Sequence, residues 1–381
     1  MNKWVERTLF TALYVVATVA FLLVASTFLP TPVNVVGAIL SSLPAYVITI
    51  ALLLTAGAGW LWWCRRTRAR QVLVVLTALT LLGGIVVFGQ QLSLAHRENT
   101  DLDVTKMFAL SDGDTAPDET VTYLRFNGED VPLSVWRPVG GSQAGAPVIV
   151  MVHGGGWVSG SRLEGTPPGH ARWFAEHGYL VISADYTLSN QQRHLWDVTE
   201  SQIGCALAWT GANAQRFGGD LSRLSMVGDS AGGNLALQAA YKGNAGTLSP
   251  ACEGTLPRVR AVSVLYPGAD MADLYENSSS RTFLEQYLGG SPQQYPDRYA
   301  ATTVTNHIST QAPPTLITVG TSDGLVPPKG SYKLYAKLQD SGVTSELIKI
   351  PHGQHVFDLP SAVGTQVWRQ ATLRWFTGHV A

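Results

Sequence analysis

Leu224-Ser-Met-Val-Gly-Asp-Ser230-Ala-Gly-Gly-Asn234 decides how the rest of the chain is read. An apolar run meets a Gly-x-Ser-x-Gly turn at Gly228, Ser230 and Gly232, and a helix-compatible segment, residues 235–241, follows at once. This is the form of a nucleophile elbow. Small residues are needed on both sides of the serine because the strand-to-helix turn is tight, and bulk would stop the hydroxyl projecting. The following helix aims its N-terminal amides at the serine, where they can hold developing negative charge. Alone, the pattern also fits an ordinary Gly/Ser turn, so its meaning depends on the remaining chain.

Toward the N-terminus the chain changes character. A chain of 381 residues exceeds one typical domain, and a net charge of −1 gives no reason to expect a nucleic-acid partner. Between Thr8 and Cys64 there is no Asp, Glu, Lys, Arg or His. Residues 10–28, stopped by Pro30 and Pro32, form a charge-free apolar segment; residues 44–63 and 72–88 form two more. Each approaches the ~20 residues a helix needs to cross a bilayer. Buried core helices would keep a polar face. A cleaved signal peptide would show a small-residue cleavage site before Pro30, and two further spans would not follow it. Three transmembrane helices within residues 1–94 are therefore expected. Cys64-Arg65-Arg66-Thr67-Arg68-Ala69-Arg70 marks a cytoplasmic turn, and Lys3 and Arg7 put the N-terminus on the same side. Everything after about Gln90 is then extracytoplasmic. Trp60, Trp62 and Trp63 fall where an interfacial aromatic belt would lie.

Residues 95–117 read as a polar linker, and residues 118–381 as a catalytic domain. Residues 121–126 and 131–136 read as a hairpin turning through Asn127-Gly128. Apolar runs at 147–152, 179–183, 224–227, 259–265 and 315–319, with a weaker one at 346–350, suit strands buried on both faces. Helical segments intervene at 171–177, 199–217, 330–341 and 366–375. The alternation implies an α/β fold with a mostly parallel sheet, and its functional groups belong on loops at the carboxyl ends of strands.

Two of those loops carry the remaining chemistry. His153-Gly154-Gly155-Gly156-Trp157 leaves amides unscreened, as an oxyanion hole requires, and Ala231 should add another. A serine nucleophile needs a base and an orienting acid, in the chain order serine, acid, histidine. Asp323, in Val319-Gly320-Thr321-Ser322-Asp323-Gly324, follows the penultimate strand; Asp270 and Asp273 are rivals that come earlier. Pro351-His352-Gly353-Gln354-His355 offers two histidines, of which His355 sits further into the loop and can swing back over Ser230. His170, His177, His194 and His307 fall in other segments. No His and Cys spacing suggests a metal site, and no cofactor is implied.

HGGGW, GDSAGGN, Ala184-Asp185-Tyr186, GTSDGLVP and HVF, in this order over about 119–381, resemble the hormone-sensitive-lipase-type α/β hydrolases. They are similar also to the BD-FAE-like esterases and acetylesterases of that superfamily. The resemblance implies an α/β-hydrolase fold, a triad of Ser230, Asp323 and His355, and an oxyanion hole of Gly154, Gly155, Gly156 and Ala231. It further implies that the insertion at 271–312 caps the pocket, which Trp157, Asp229 and Tyr186 would line. Thr187 stands where many members carry Arg, and three membrane spans replace the usual large helical cap.

Three cysteines are present. In an extracytoplasmic domain Cys205 and Cys252 could pair; two separate thiols are the alternative. The function expected is a membrane-anchored serine carboxylesterase or acetylesterase, acting on small-molecule, lipid or glycan esters through an acyl-enzyme. An acyltransferase would use the same triad, differing in how well water is excluded during deacylation. A non-catalytic membrane scaffold would lack a triad member, and none is missing.

Overall fold

Asn127 (φ 50°) and Gly128 (φ 83°) both take the left-handed region that a two-residue hairpin turn requires. They join β1 (Glu119–Phe126) to β2 (Glu129–Trp136). The computed structural model describes residues 3–29, 33–140 and 145–380. Six further strands follow: β3 (Ala146–Val152), β4 (Leu180–Ala184), β5 (Gly219–Asp229), β6 (Ala261–Leu265), β7 (Thr315–Gly320) and β8 (Ser345–Ile350). Their order in the sheet is β1-β2-β4-β3-β5-β6-β7-β8. The pairs β1/β2 and β2/β4 are antiparallel, while β4/β3, β3/β5, β5/β6 and β6/β7 are parallel. Every residue of β4, β6 and β7 is buried, which is why these strands read as continuous apolar runs rather than alternating ones.

The described chain divides into two compact units. Residues up to Leu110, with Gly320–Gly324 and Ile350–Val367, form the first; Ser111–Val319, Leu325–Lys349 and the chain from Trp368 form the second. The loops after β7 and β8 thus group with the N-terminal helices and not with the sheet.

In the first unit, α1 (Lys3–Ser26), α2 (Ala38–Ser42), α3 (Pro44–Cys64) and α4 (Arg68–Arg97) pack through small residues. Ala17 and Ala58 meet Leu73, with Phe10, Leu13, Tyr14 and Leu61 around them. The outer faces are apolar as well: Leu22, Leu53 and Leu82 are 59%, 67% and 57% exposed. The helices α3 and α4 are long and apolar enough to cross a membrane, and only 11% and 28% of their most apolar stretches are buried. In α1 the apolar part, Phe10–Ser26, is shorter, so among the described residues two helices and not the expected three meet that standard. Pro30 and Pro32, read as the stop of the first segment, lie outside the described residues. α4 continues to Arg97, past the start of the expected linker, because Gln, Leu, Ser and Ala at 90–95 give up apolarity without giving up helicity.

In the second unit α5 (Pro167–Glu176) links β3 to β4, α6 (Thr199–Asn213) links β4 to β5, and α7 (Ser230–Ala245) links β5 to β6. Three short helices, α8 (Met271–Asn277), α9 (Arg281–Leu288) and α10 (Pro296–Thr302), fill the insertion between β6 and β7. The helices α8 and α10, of seven residues each, are too short to show a period in the sequence. α11 (Lys329–Asp340) precedes β8, and α12 (Val363–His379) ends the chain, its first residues belonging to the other unit. Cys205 on α6 and Cys252 in the loop after α7 are joined in a disulfide, their Cα atoms 5.7 Å apart.

Candidate active site

Ser230 is the first residue of α7 and is held at φ 51°, a conformation that costs a non-glycine residue about 1–3 kcal/mol. Close packing enforces it. A Cβ on Gly228 would run into the backbone of Gly232, and one on Gly232 into the carbonyls of Val152 and His153. The elbow therefore lies directly against the carboxyl end of β3. Behind it, buried Asn234 donates to the carbonyls of Gly268 (2.7 Å) and Thr302 (2.9 Å) and accepts from Gln238 (2.7 Å). The last residue of the GDSAGGN motif thus fixes α7 to the loop after β6 and to α10.

The loop after β3 also turns through positive φ, at 113°, 60° and 63° for Gly155, Gly156 and Trp157, and of these only Trp157 is strained by it. Beneath it, the His153 ring stacks on Tyr186 with centroids 4.4 Å apart, and the Tyr186 hydroxyl donates to the His153 carbonyl at 3.2 Å. Burial lowers the His153 pKa and raises that of Tyr186, so a neutral imidazole rests on a neutral phenol. His153 Nε2 is 3.7 Å from the Asp185 carboxylate, which binds the backbone amide and guanidinium of Arg162. This Arg162–Asp185 support gave no signal in the sequence, since its members stand 23 positions apart in different loops.

Three pocket assignments change at this point. The Gly154 amide donates to Asp229 Oδ1 at 3.0 Å, so it is not free for an oxyanion. Asp229 ties the elbow to the loop. Tyr186, 3% exposed, supports the loop from below instead of lining a pocket. Trp157 is also buried, stacked on Tyr287 of α9 with centroids 4.6 Å apart. The insertion does cover the loop: a Cβ on Gly156 would sit 2.9 Å from the ring of Phe283 on α9. Phe283 is the neighbour that motif reading missed.

The first unit brings Asp323 and His355 together. His355 Nδ1 lies 2.7 Å from Asp323 Oδ2, and the Asp323 side chain is fully buried. Their loops are stitched by backbone bonds, Thr321 N to Ile350 O and Ser322 N to Gly353 O, both 3.0 Å. That approach requires glycine on each side, since a Cβ on Gly353 would come within 3.0 Å of the Gly320 Cα. The rivals are engaged elsewhere. Asp270 caps α8 and pairs with Lys333 at 2.6 Å, Asp273 pairs with Lys329 at 2.8 Å, and His352 Nε2 meets Gln90 Oε1 at 2.9 Å.

The chain is similar to known proteins. The chain is 28% identical over 248 residues to the Mycobacterium tuberculosis esterase LipQ, a match covering 64% of this chain and 58% of that one. It is 30% identical over 255 residues to the probable carboxylic ester hydrolase LipM of the same organism, covering 65% and 57%. The chain thus spans a little over half the length of these relatives. Among solved structures, a truncated carbohydrate esterase from gut microbiota superposes with a TM-score of 0.61 at 20% identity, covering 70% of this chain and 98% of that one. Propionate-bound Est2 of Thermogutta terrifontis gives 0.57 at 21% identity, covering 68% and 94%. These likenesses establish the α/β-hydrolase fold. The BD-FAE family model matches residues 133–338, more than half of the sequence, from β2 through α11. The chain belongs to the BD-FAE family.

Proposed function

We propose that this chain is a membrane-anchored serine carboxylesterase acting on extracytoplasmic esters, with short acyl groups such as acetyl favoured. Ser230 is the nucleophile, His355 its base and Asp323 the acid that orients the imidazole. Ser230 Oγ attacks the ester carbonyl while its proton passes to His355. Collapse of the tetrahedral intermediate expels the alcohol, which takes that proton, and water then cleaves the acyl-enzyme by the same route. The amides of Gly155, Gly156 and Ala231 hold the oxyanion, each worth about 3 kcal/mol of barrier. The observation that carries this reading is the buried 2.7 Å bond between Asp323 and His355, in a chain that also holds Ser230 on a strained elbow. The relatives that bear the names esterase and carboxylic ester hydrolase support the ester as substrate.

Two independent features support the outward location. Arg65, Arg66, Arg68 and Arg70 stand at the turn between α3 and α4, where a cytoplasmic cluster belongs, so the far end of α4 emerges outside. The Cys205–Cys252 disulfide suits an oxidising compartment. With α1 as a tilted or thinly spanning third helix, the N-terminus is cytoplasmic. A membrane-impermeant fluorophosphonate applied to intact cells tests both parts. Wild type should label and Ser230→Ala should not. Labelling only after lysis reverses the topology, and no labelling at all removes the serine-hydrolase assignment.

A further inference from the structure

Taking His355 as the base of Ser230, we propose that the N-terminal helices are part of the catalytic apparatus, because they hold the His355 loop in its working position. A tether needs only to span the bilayer. Here the helices and the segment between α1 and α3 grip the loop on both sides of the histidine. Gln354 Nε2 donates to the Asn34 carbonyl at 3.0 Å. Gln91 Nε2, at the end of α4, donates to the Pro351 carbonyl at 3.3 Å and to that of Ser41 at 3.4 Å. Beyond the histidine, Ser361 Oγ donates to the Ser42 carbonyl at 3.4 Å. His352 takes a bond with Gln90 at 2.9 Å and the edge of Phe28 at a centroid distance of 5.3 Å.

Chemistry argues that these contacts are more than packing. Gln354 and Gln91 are 4% and 1% exposed, among the buried polar residues Asn34, Ser41, Ser42 and Ser361. The Gln91 Oε1 and Asn34 Oδ1 atoms are buried without a hydrogen-bond partner among the described residues. Burying a polar atom that way is unfavourable, so an apolar residue would pack at lower cost; what the amide supplies is the donor that holds the loop carbonyl. The loop needs such restraint. His352 and Val356, on either side of His355, have φ of 55° and 57°, and a β-branched residue in that region relaxes unless its surroundings prevent it. Gln91 and Gln354 are positioning residues: they touch neither substrate nor reacting atoms, and act by fixing the imidazole.

The test uses full-length protein in detergent micelles, with p-nitrophenyl acetate as probe. Gln91→Met and Gln354→Met keep side-chain length but carry no donor. Each should lower kcat about 10- to 100-fold, the scale of a displaced catalytic group, with KM changed less than about twofold. Gln90→Ala, on an exposed side chain that folding tolerates, should lower kcat severalfold. In a His355→Ala background the same changes should add nothing, because the group they position is gone. Unchanged kcat in all three variants, with His355→Ala down about 10³-fold or more, overturns the positioning role and leaves the triad standing. A further loss of equal size in the His355→Ala background also overturns it, as the mark of general destabilisation. Full activity of His355→Ala removes the triad reading itself.

Discussion

Asp229 and Gly154 are joined by a 3.0 Å hydrogen bond from loop amide to carboxylate, so the residue before Ser230 anchors the strand-end loop beside it. Asp229→Ala frees that amide and leaves it without its charged acceptor. A bond to a charged group contributes roughly 1.5–3 kcal/mol, and loss of the tie lets Gly155 and Gly156, which glycine leaves conformationally free, drift from their positions. The expected outcome is a kcat reduced about 10- to 100-fold with KM little changed, since the donors hold the transition state more than the bound ester. Steady-state kinetics on a soluble ester measures it. A raised KM at unchanged kcat would return Asp229 to the pocket wall.

The disulfide closes a loop with a sequence separation of 47 residues between α6 and the segment after α7. Constraint of the unfolded chain by a loop of that length is worth roughly 4 kcal/mol on the loop-entropy account. Cys205→Ser with Cys252→Ser should lower the melting temperature of the hydrolase unit by several degrees while leaving kcat within about twofold. Thermal unfolding followed by circular dichroism checks this. Reductant should lower the wild-type midpoint and leave the double variant unmoved; equal midpoints throughout would mean the thiols are not paired in the isolated protein.

The strand ends at which the site is proposed were legible because they are written locally. Gly228, Ser230 and Gly232 must be adjacent to make the elbow, and no side chain but hydrogen fits where Gly232 meets the Val152 carbonyl. Asp323 and His355 were singled out from chain order in this fold, and the two side chains lie 2.7 Å apart. What sequence could not carry is the long-range detail. Gly154 looked equal to Gly155 and Gly156, and only the position of Asp229, 75 residues away, sets it apart. Tyr186 and Trp157 read as pocket walls because buried and exposed aromatics look alike in a motif. The Gln90-Gln91 pair looked like the polar end of an apolar run, and its contacts with Pro351 and His352 lie some 260 residues on.

His153 sets a pH dependence of stability. Burial holds its folded-state pKa below the ordinary value, against opposing pulls from its bond to the Gly154 carbonyl and from Asp185 and Glu164, with Arg162 adding to the depression. The unfolded imidazole takes up its proton near pH 6.5, before the folded one does. The contribution is therefore fully present above about pH 6.5 and is lost as the pH falls below it, by at most about 1.4 kcal/mol per pH unit, until the folded pKa is passed. Chemical denaturation of wild type and His153→Gln between pH 7.5 and 5 measures the difference. The variant should be less stable at pH 7.5 and should lose less on acidification. Parallel curves would mean that the imidazole titrates alike in the folded and unfolded chains.

Asp323 gives the most direct separation of catalysis from stability. Its carboxylate, fully buried, has His355 Nδ1 at 2.7 Å and so selects the tautomer that carries its proton on Nδ1 and its lone pair on Nε2. Asp323→Asn keeps the size but offers an amide donor, which favours the opposite tautomer. In a serine triad that change costs about 10⁴-fold in kcat with geometry intact. The same scale is expected here, with KM within about threefold and the fluorophosphonate reaction of Ser230 slowed in parallel. Asp270→Asn supplies the comparison, because Asp270 meets Lys333 in a partly exposed pair at 2.6 Å, and a surface pair contributes at most about 1 kcal/mol. Its kcat should stay within about twofold of wild type. If Asp270→Asn were the variant that lost activity while Asp323→Asn kept it, the acid of the triad would lie after β6, and the bond between Asp323 and His355 would be a structural one.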